Sequence, residues 1–130
     1  MLKKIMVAYD EGKVAAKALD QAIELARATS GEIYIACAYM TVDNPIRREL
    51  LEKLQAKAAA KVVEAGIVAH TKIAAGDKEL GKTLARMAED MQADVVVTGT
   101  NNRGAVGQFM FGSVSKFILR NVTCPVLVVK

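Results

Sequence analysis

Two kinds of hydrophobic pattern alternate along the chain. Continuous apolar runs stand at Ile5 to Tyr9, Ile33 to Tyr39, Val95 to Val97 and Val126 to Val129. Such runs suit strands buried on both faces, the habit of a parallel sheet covered by helices. A weaker segment, Ile67 to Ala74, mixes apolar residues with His70 and Lys72 and reads as an edge strand. Between the runs the period becomes helical. Ala15, Ala18, Leu19, Ala22, Ile23 and Ala26 share one face of a first helix, which stops near Gly31. Ile46, Leu50, Leu51, Leu54, Ala58, Val62 and Ala65 align in a second, with Pro45 in its first turn and Gly66 at its end. Leu80, Leu84, Met87, Ala88 and Met91 align in a third despite Gly81, and Val114, Phe117 and Ile118 in a fourth from about Ser113 to Asn121. Pro125 sits at the entrance to the last strand, where a missing N–H matters least.

The order is β-α-β-α-β-α-β-α-β. Right-handed crossovers between parallel strands would bury all four helix faces, so the expected fold is an open doubly wound α/β sheet of five strands. At 130 residues the chain is one domain, 1–130, without repeat or linker. With 52% hydrophobic and 25% charged residues it is globular in composition. No apolar run approaches the roughly 20 residues that cross a bilayer, and the start is too short for a signal-peptide core, so a cytoplasmic protein is expected. The net charge of +4 is spread among acids, as in R-R-E-L-L-E-K, and two of the three phenylalanines lie in F-M-F. Without a basic stripe or stacking platform, nucleic acid is not an expected partner.

In such a sheet, ligands bind where the strand order reverses, beyond the carboxyl ends of the strands. Three segments reach that edge: Ala8-Tyr9-Asp10-Glu11-Gly12, Ala38-Tyr39-Met40, and Thr98-Gly99 through Gly107, followed by Gly112-Ser113 at the last helix. The third is the strongest. Its glycines let backbone N–H groups approach an anion, and a helix N-terminus adds free donors and a positive dipole end. Ser113 and Ser115 hydroxyls and the Arg103 charge suit phosphate; the competing reading is a long turn with Ser113 as a helix cap. Neither a P-loop nor a dinucleotide fingerprint is present, since G-x-x-x-x-G-K-[S/T] is absent and Gly12 stands alone after the first strand. Asp10 can accept from a ribose hydroxyl, help hold a metal, or cap the first helix. His70, the only histidine, lacks a second ligand at metal spacing, and Cys37 and Cys124 are simplest as core thiols. Arg47, Arg48, Lys53, Lys57 and Lys61 read as the solvated side of the second helix. No nucleophile, base and orienter form a legible set.

The start K-K-I-M-V-A-Y-D, the helix A-L-D-Q-A-I-E-L-A and the ending G-S-V-S-K-F-I-L-R-N-V-T-C-P-V-L-V-V-K resemble the universal stress protein family from end to end. ATP-binding members carry G-x2-G-x9-G-[S/T] after the fourth strand. Gly99, Gly112 and Ser113 keep that spacing, and Asn102 stands at the second glycine. Asn tolerates a left-handed backbone best among non-glycine residues, so the loop shape can survive. The resemblance implies a Rossmann-like sheet in the order 3-2-1-4-5 and a homodimer paired through the C-terminal strand. It implies adenine against Ala8, Tyr9 and Ala38 with Thr98 near the base, and ribose by Asp10 and Gly99. Phosphates would lie over Asn102, Gly112, Ser113, Val114 and Ser115. The expected ligand is ATP, alone or with Mg2+, in a stress or energy sensor that is not an enzyme. A nucleotide-free dimeric interaction module is the alternative, and a slow ATPase is third. In that strand order Cys37 and Cys124 stand about three spacings apart, on the order of 14 Å, too far for a disulfide.

Overall fold

A computed structural model describes residues 2–41, 45–76, 79–100 and 112–130. The elements are β1 (Lys4–Ala8), α1 (Lys13–Thr29), β2 (Glu32–Met40), α2 (Pro45–Glu64), β3 (Ala69–Gly76), α3 (Leu80–Asp90), β4 (Val95–Gly99), α4 (Ser113–Asn121) and β5 (Val126–Val129). The strands form one sheet in the order β3-β2-β1-β4-β5, and every neighbouring pair is parallel. The expected fold and strand order are both present. The chain reverses direction of travel across the sheet between β1 and β4, so their carboxyl ends define the switch point.

Alternation along each strand divides the core in two. Ile5 and Val7, with Ile33, Ile35, Val95 and Val97, face α1 and α2 and pack on Ala18, Leu19, Ala22, Ala58 and Val62. Met6, Ala36, Ala38 and Val96 face the other way, onto Leu84 and Ala88 of α3 and Ile118 of α4. That second layer is thin on the β2 side, where alanines stand in place of branched residues. Gly81 has a packing reason: a Cβ there would lie 2.7 Å from Cβ of Phe117 and 3.3 Å from Cα of Val114, so α3 and α4 touch through its bare backbone.

Helix α2 departs from expectation. Its buried positions are Leu51, Gln55, Ala58 and Val62, while Ile46 and Leu50 are 70% and 44% exposed. At about 100° per residue, Leu51, Gln55, Ala58 and Val62 form a narrow stripe that leaves Leu50 on the flank and Ile46 nearly opposite. Counting apolar residues alone widened the face too far. The stripe includes a polar residue because Gln55 satisfies two strand carbonyls, donating through Nε2 to the buried Ile35 O (3.0 Å) and to Lys72 O (2.6 Å). The edge strand β3 starts at Ala69, with His70 stacked on Tyr34 (centroids 4.3 Å apart) and 2.7 Å from Glu32 Oε1. Both cysteines are free. Among the described residues, no helix is long and apolar enough to cross a membrane.

Candidate functional site

A cleft of about 620 Å³ opens over the carboxyl ends of β1, β2 and β4, between the N-termini of α1 and α4. Ala8, Tyr9 and Asp10 reach it from β1, Ala38 from β2, Thr98 and Gly99 from β4, and Gly112, Ser113, Val114 and Ser115 from the start of α4. All ten of these expected site residues therefore line one cleft. Asn102 and Arg103 lie outside the described residues. The strand ends meet here because Ala8 pairs with both Ala36 and Thr98 across the switch point. Gly99 permits close approach beneath the cleft, since a Cβ on it would stand 2.7 Å from Val14 Cγ1 and 3.3 Å from the Val14 carbonyl carbon of α1.

Helix α4 begins at Gly112 (φ −72°, ψ 164°), which has no side chain to cap it. Ser113 is thus the first helical residue and not the cap. The earliest α-helical hydrogen bond runs from Lys116 N to Gly112 O (3.0 Å), so the N–H groups of Ser113, Val114 and Ser115 have no acceptor within the helix. No acid stands in that first turn. The Ser115 hydroxyl is buried and donates to Gly112 O at 3.1 Å, which fixes the turn. Nearby, the Thr100 hydroxyl is buried and has no hydrogen-bond partner among the described residues. Its backbone is fixed by Thr100 N donating to Val129 O (2.9 Å).

The β1 side is arranged differently. Asp10 Oδ1 accepts from Gly12 N–H at 2.8 Å, a local turn that aims the carboxylate toward the start of α1. The expected helix-cap role for Asp10 does not hold: Gly12 is the cap of α1, and the Asp10 carboxylate accepts from the N–H of that cap residue instead. Glu11 is bound by Arg47, whose Nη2 lies 2.9 Å from both Glu11 carboxylate oxygens. Partial burial pushes the Glu11 carboxyl upward, but the Arg47 hydrogen bond and charge outweigh it and hold it below the ordinary range. Burial raises the Tyr9 phenol. It also pushes the Cys37 thiol, beneath the cleft on β2, up to about 12, with Asp10 and Glu11 adding to the rise.

Arg47 was expected on the solvated side of α2 and instead lines the cleft. The signal was present: Arg47 precedes Leu51 by four residues, so it extends the buried stripe by one turn. Leu80 and Leu84 of α3 also line the cleft, and a pattern of core leucines gave no hint that two of them face a ligand space. Among the described residues no group of three or more His, Cys, Asp or Glu could hold a metal by itself. A Mg2+ ion here would need phosphate oxygens beside Asp10.

The geometry agrees with what the chain is similar to. A universal stress protein of Methanocaldococcus jannaschii is 29% identical over 145 residues, covering 100% of this chain and 83% of the relative. The solved universal stress protein of Archaeoglobus fulgidus in complex with dAMP has a TM-score of 0.83 at 20% identity, covering 100% of both chains. A solved universal stress protein in complex with cAMP has a TM-score of 0.79 at 21% identity, covering 98% of this chain and 95% of that one. These structural likenesses establish the fold. The model of the universal stress protein family matches residues 1–130, and the chain belongs to that family.

Proposed function

We propose that this chain binds an adenine nucleotide in the cleft, with ATP as the expected ligand, and acts as a cytoplasmic dimeric stress sensor rather than as an enzyme. The observation that carries the reading is the start of α4. A glycine-capped, acid-free helix N-terminus borders a cleft that is apolar at Ala8, Ala38, Leu80 and Leu84. The volume of about 620 Å³ lies within the range of small-molecule sites, roughly 300–1,000 Å³. Phosphates would take the N–H groups of Ser113, Val114 and Ser115, and the base would lie against Ala8, Tyr9 and Ala38 with Thr98 beside it. Asp10 and Gly99 would border the ribose, with Asp10 free to share Mg2+ with the phosphates. Relatives of the same fold hold dAMP and cAMP. The test is calorimetry with Mg-ATP, together with mass spectrometry of nucleotide released on heat denaturation. Binding at a ratio of one per chain supports the reading. No heat from the parent and none from Asn102→Gly would leave the interaction module in its place.

The dimer reading rests on β5. It is an edge of the sheet, four residues long with Val126, Val128 and Val129 half-buried and Leu127 39% exposed. Pairing with its copy about a two-fold axis would cover that edge. Sedimentation should give a dimer at micromolar concentration, and Val128→Asp should dissociate it; a stable monomeric parent would overturn this assignment.

A further inference from the structure

We propose that Arg47, held by Glu11, is the outer wall of the base subsite and stacks its guanidinium plane on the adenine ring. This rests on the nucleotide reading, and three observations carry it further. Arg47 continues the buried stripe of α2, so its side chain is directed over the sheet and is only 31% exposed. It enters the cleft from the β2 side, whereas α4 enters from the β4 side, with β1 between them. Tied to Glu11 just after β1, the guanidinium therefore stands on the β1–β2 side of the cleft, away from the phosphate donors of α4.

The second observation is charge. Nη2 of Arg47 is shared between both Glu11 oxygens, so the pair is neutral as a unit. A phosphate ligand calls for an uncompensated cation; a neutralised, oriented guanidinium offers a flat polarisable face instead. The third is shape. Ala8 and Ala38 line the same cleft as Arg47, and their short side chains leave room there for a flat ring. Glu11 acts through Arg47 and is a positioning residue.

Adenosine, AMP and ATP are titrated calorimetrically into the parent, Arg47→Ala, Arg47→Lys and Arg47→Trp. Arg47→Ala should weaken all three ligands by the same factor, about tenfold, because the ring is common to them. Lysine should not restore affinity, since an ammonium has no plane to stack. Tryptophan should keep affinity within about threefold of the parent, and it carries the test on its own should the alanine variant fold poorly. A loss that grows from adenosine to ATP and is rescued by lysine makes Arg47 a phosphate ligand and overturns the proposal. Unchanged affinity in Arg47→Ala also overturns it while leaving nucleotide binding intact. A parent that binds none of the three removes the nucleotide reading and this proposal with it.

Discussion

Helices α1 and α4 start with almost the same backbone. Gly12 has φ −69° and ψ 153°, and Gly112 has φ −72° and ψ 164°. Both starts lack a capping side chain, and both border the same cleft. Their surroundings are opposite. At α1 the chain supplies its own anion, since Asp10 accepts from Gly12 N–H, while Glu11 is neutralised by Arg47. At α4 the first turn holds serines and no acid, and the segment from Asn101 to Phe111 contains Arg103 and no acidic residue. Equal dipoles thus meet unequal company. A helix end already facing carboxylates repels a further anion, whereas one without them attracts it. On the nucleotide reading proposed above, the asymmetry would give the cleft a direction, with the phosphate end at α4 and the ribose and base toward β1 and β2.

The variant expected to do most is Gly99→Val. Even the first carbon of the new side chain meets Val14 of α1 at 2.7 Å and its backbone at 3.3 Å, so β4 and α1 must separate. Overpacking of this kind costs about 1–3 kcal/mol, and the displacement moves the two helix starts relative to one another. Nucleotide binding should vanish and the thermal midpoint should fall; parent-like values of both would show that the spacing of the helix starts is irrelevant.

Next in size is Ser113→Glu, which gives α4 the acid that α1 already has nearby. Its effects on stability and on binding should run in opposite directions. An acid in the first turn stabilises a helix by about 0.3–1 kcal/mol, while repulsion of phosphate should weaken ATP at least about tenfold, or 1.4 kcal/mol. Thermal unfolding and calorimetry on the same sample check both signs. A variant that is more stable yet binds ATP as the parent does would mean that the anion lies elsewhere.

The difference between these two helix starts also marks where the sequence was readable. The strands, the four helices and the ten cleft residues named above follow from periodicity, from glycines and from family spacing. All of those signals are local or shared among relatives. Arg47 and Gln55 were not readable in the same way, because a polar residue on a buried stripe looks like a break in the pattern until its partner is known. Glu11 for Arg47, and the carbonyls of Ile35 and Lys72 for Gln55, are 17 or more residues away. Leu50 misled for the converse reason: an apolar residue one step off the stripe fits a helical face in one dimension and points outward in three.

A smaller effect belongs to the α1 side. The Glu11 carboxyl sits below its ordinary range because Arg47 donates to its ionised form. A depressed folded-state value means that the pair stabilises the protein above the unfolded carboxyl range and that this contribution is lost as pH falls through the folded value. Both side chains are partly exposed, so the amount is small, about 0.2–1 kcal/mol. Glu11→Gln should therefore lower stability at pH 7 by that amount and make no difference at low pH. Denaturant titrations at several pH values give the result directly, and an equal loss at every pH would point to packing instead of charge.

The least change in stability is expected at Thr100, on the α4 side. Its buried hydroxyl has no partner among the described residues, and an unmet buried hydroxyl carries a penalty of about 1–3 kcal/mol relative to a paired one. Valine has nearly the same shape without the hydroxyl, so Thr100→Val should leave the free protein unchanged or slightly more stable. Thr100 also lines the cleft, and a buried hydroxyl without a partner among the described residues is one that a polar ligand can satisfy. Affinity for ATP should then fall about threefold, as expected for one neutral hydrogen bond. Stability that drops in Thr100→Val would show that the hydroxyl has a partner in the free protein. Unchanged affinity would show that the ligand does not reach it.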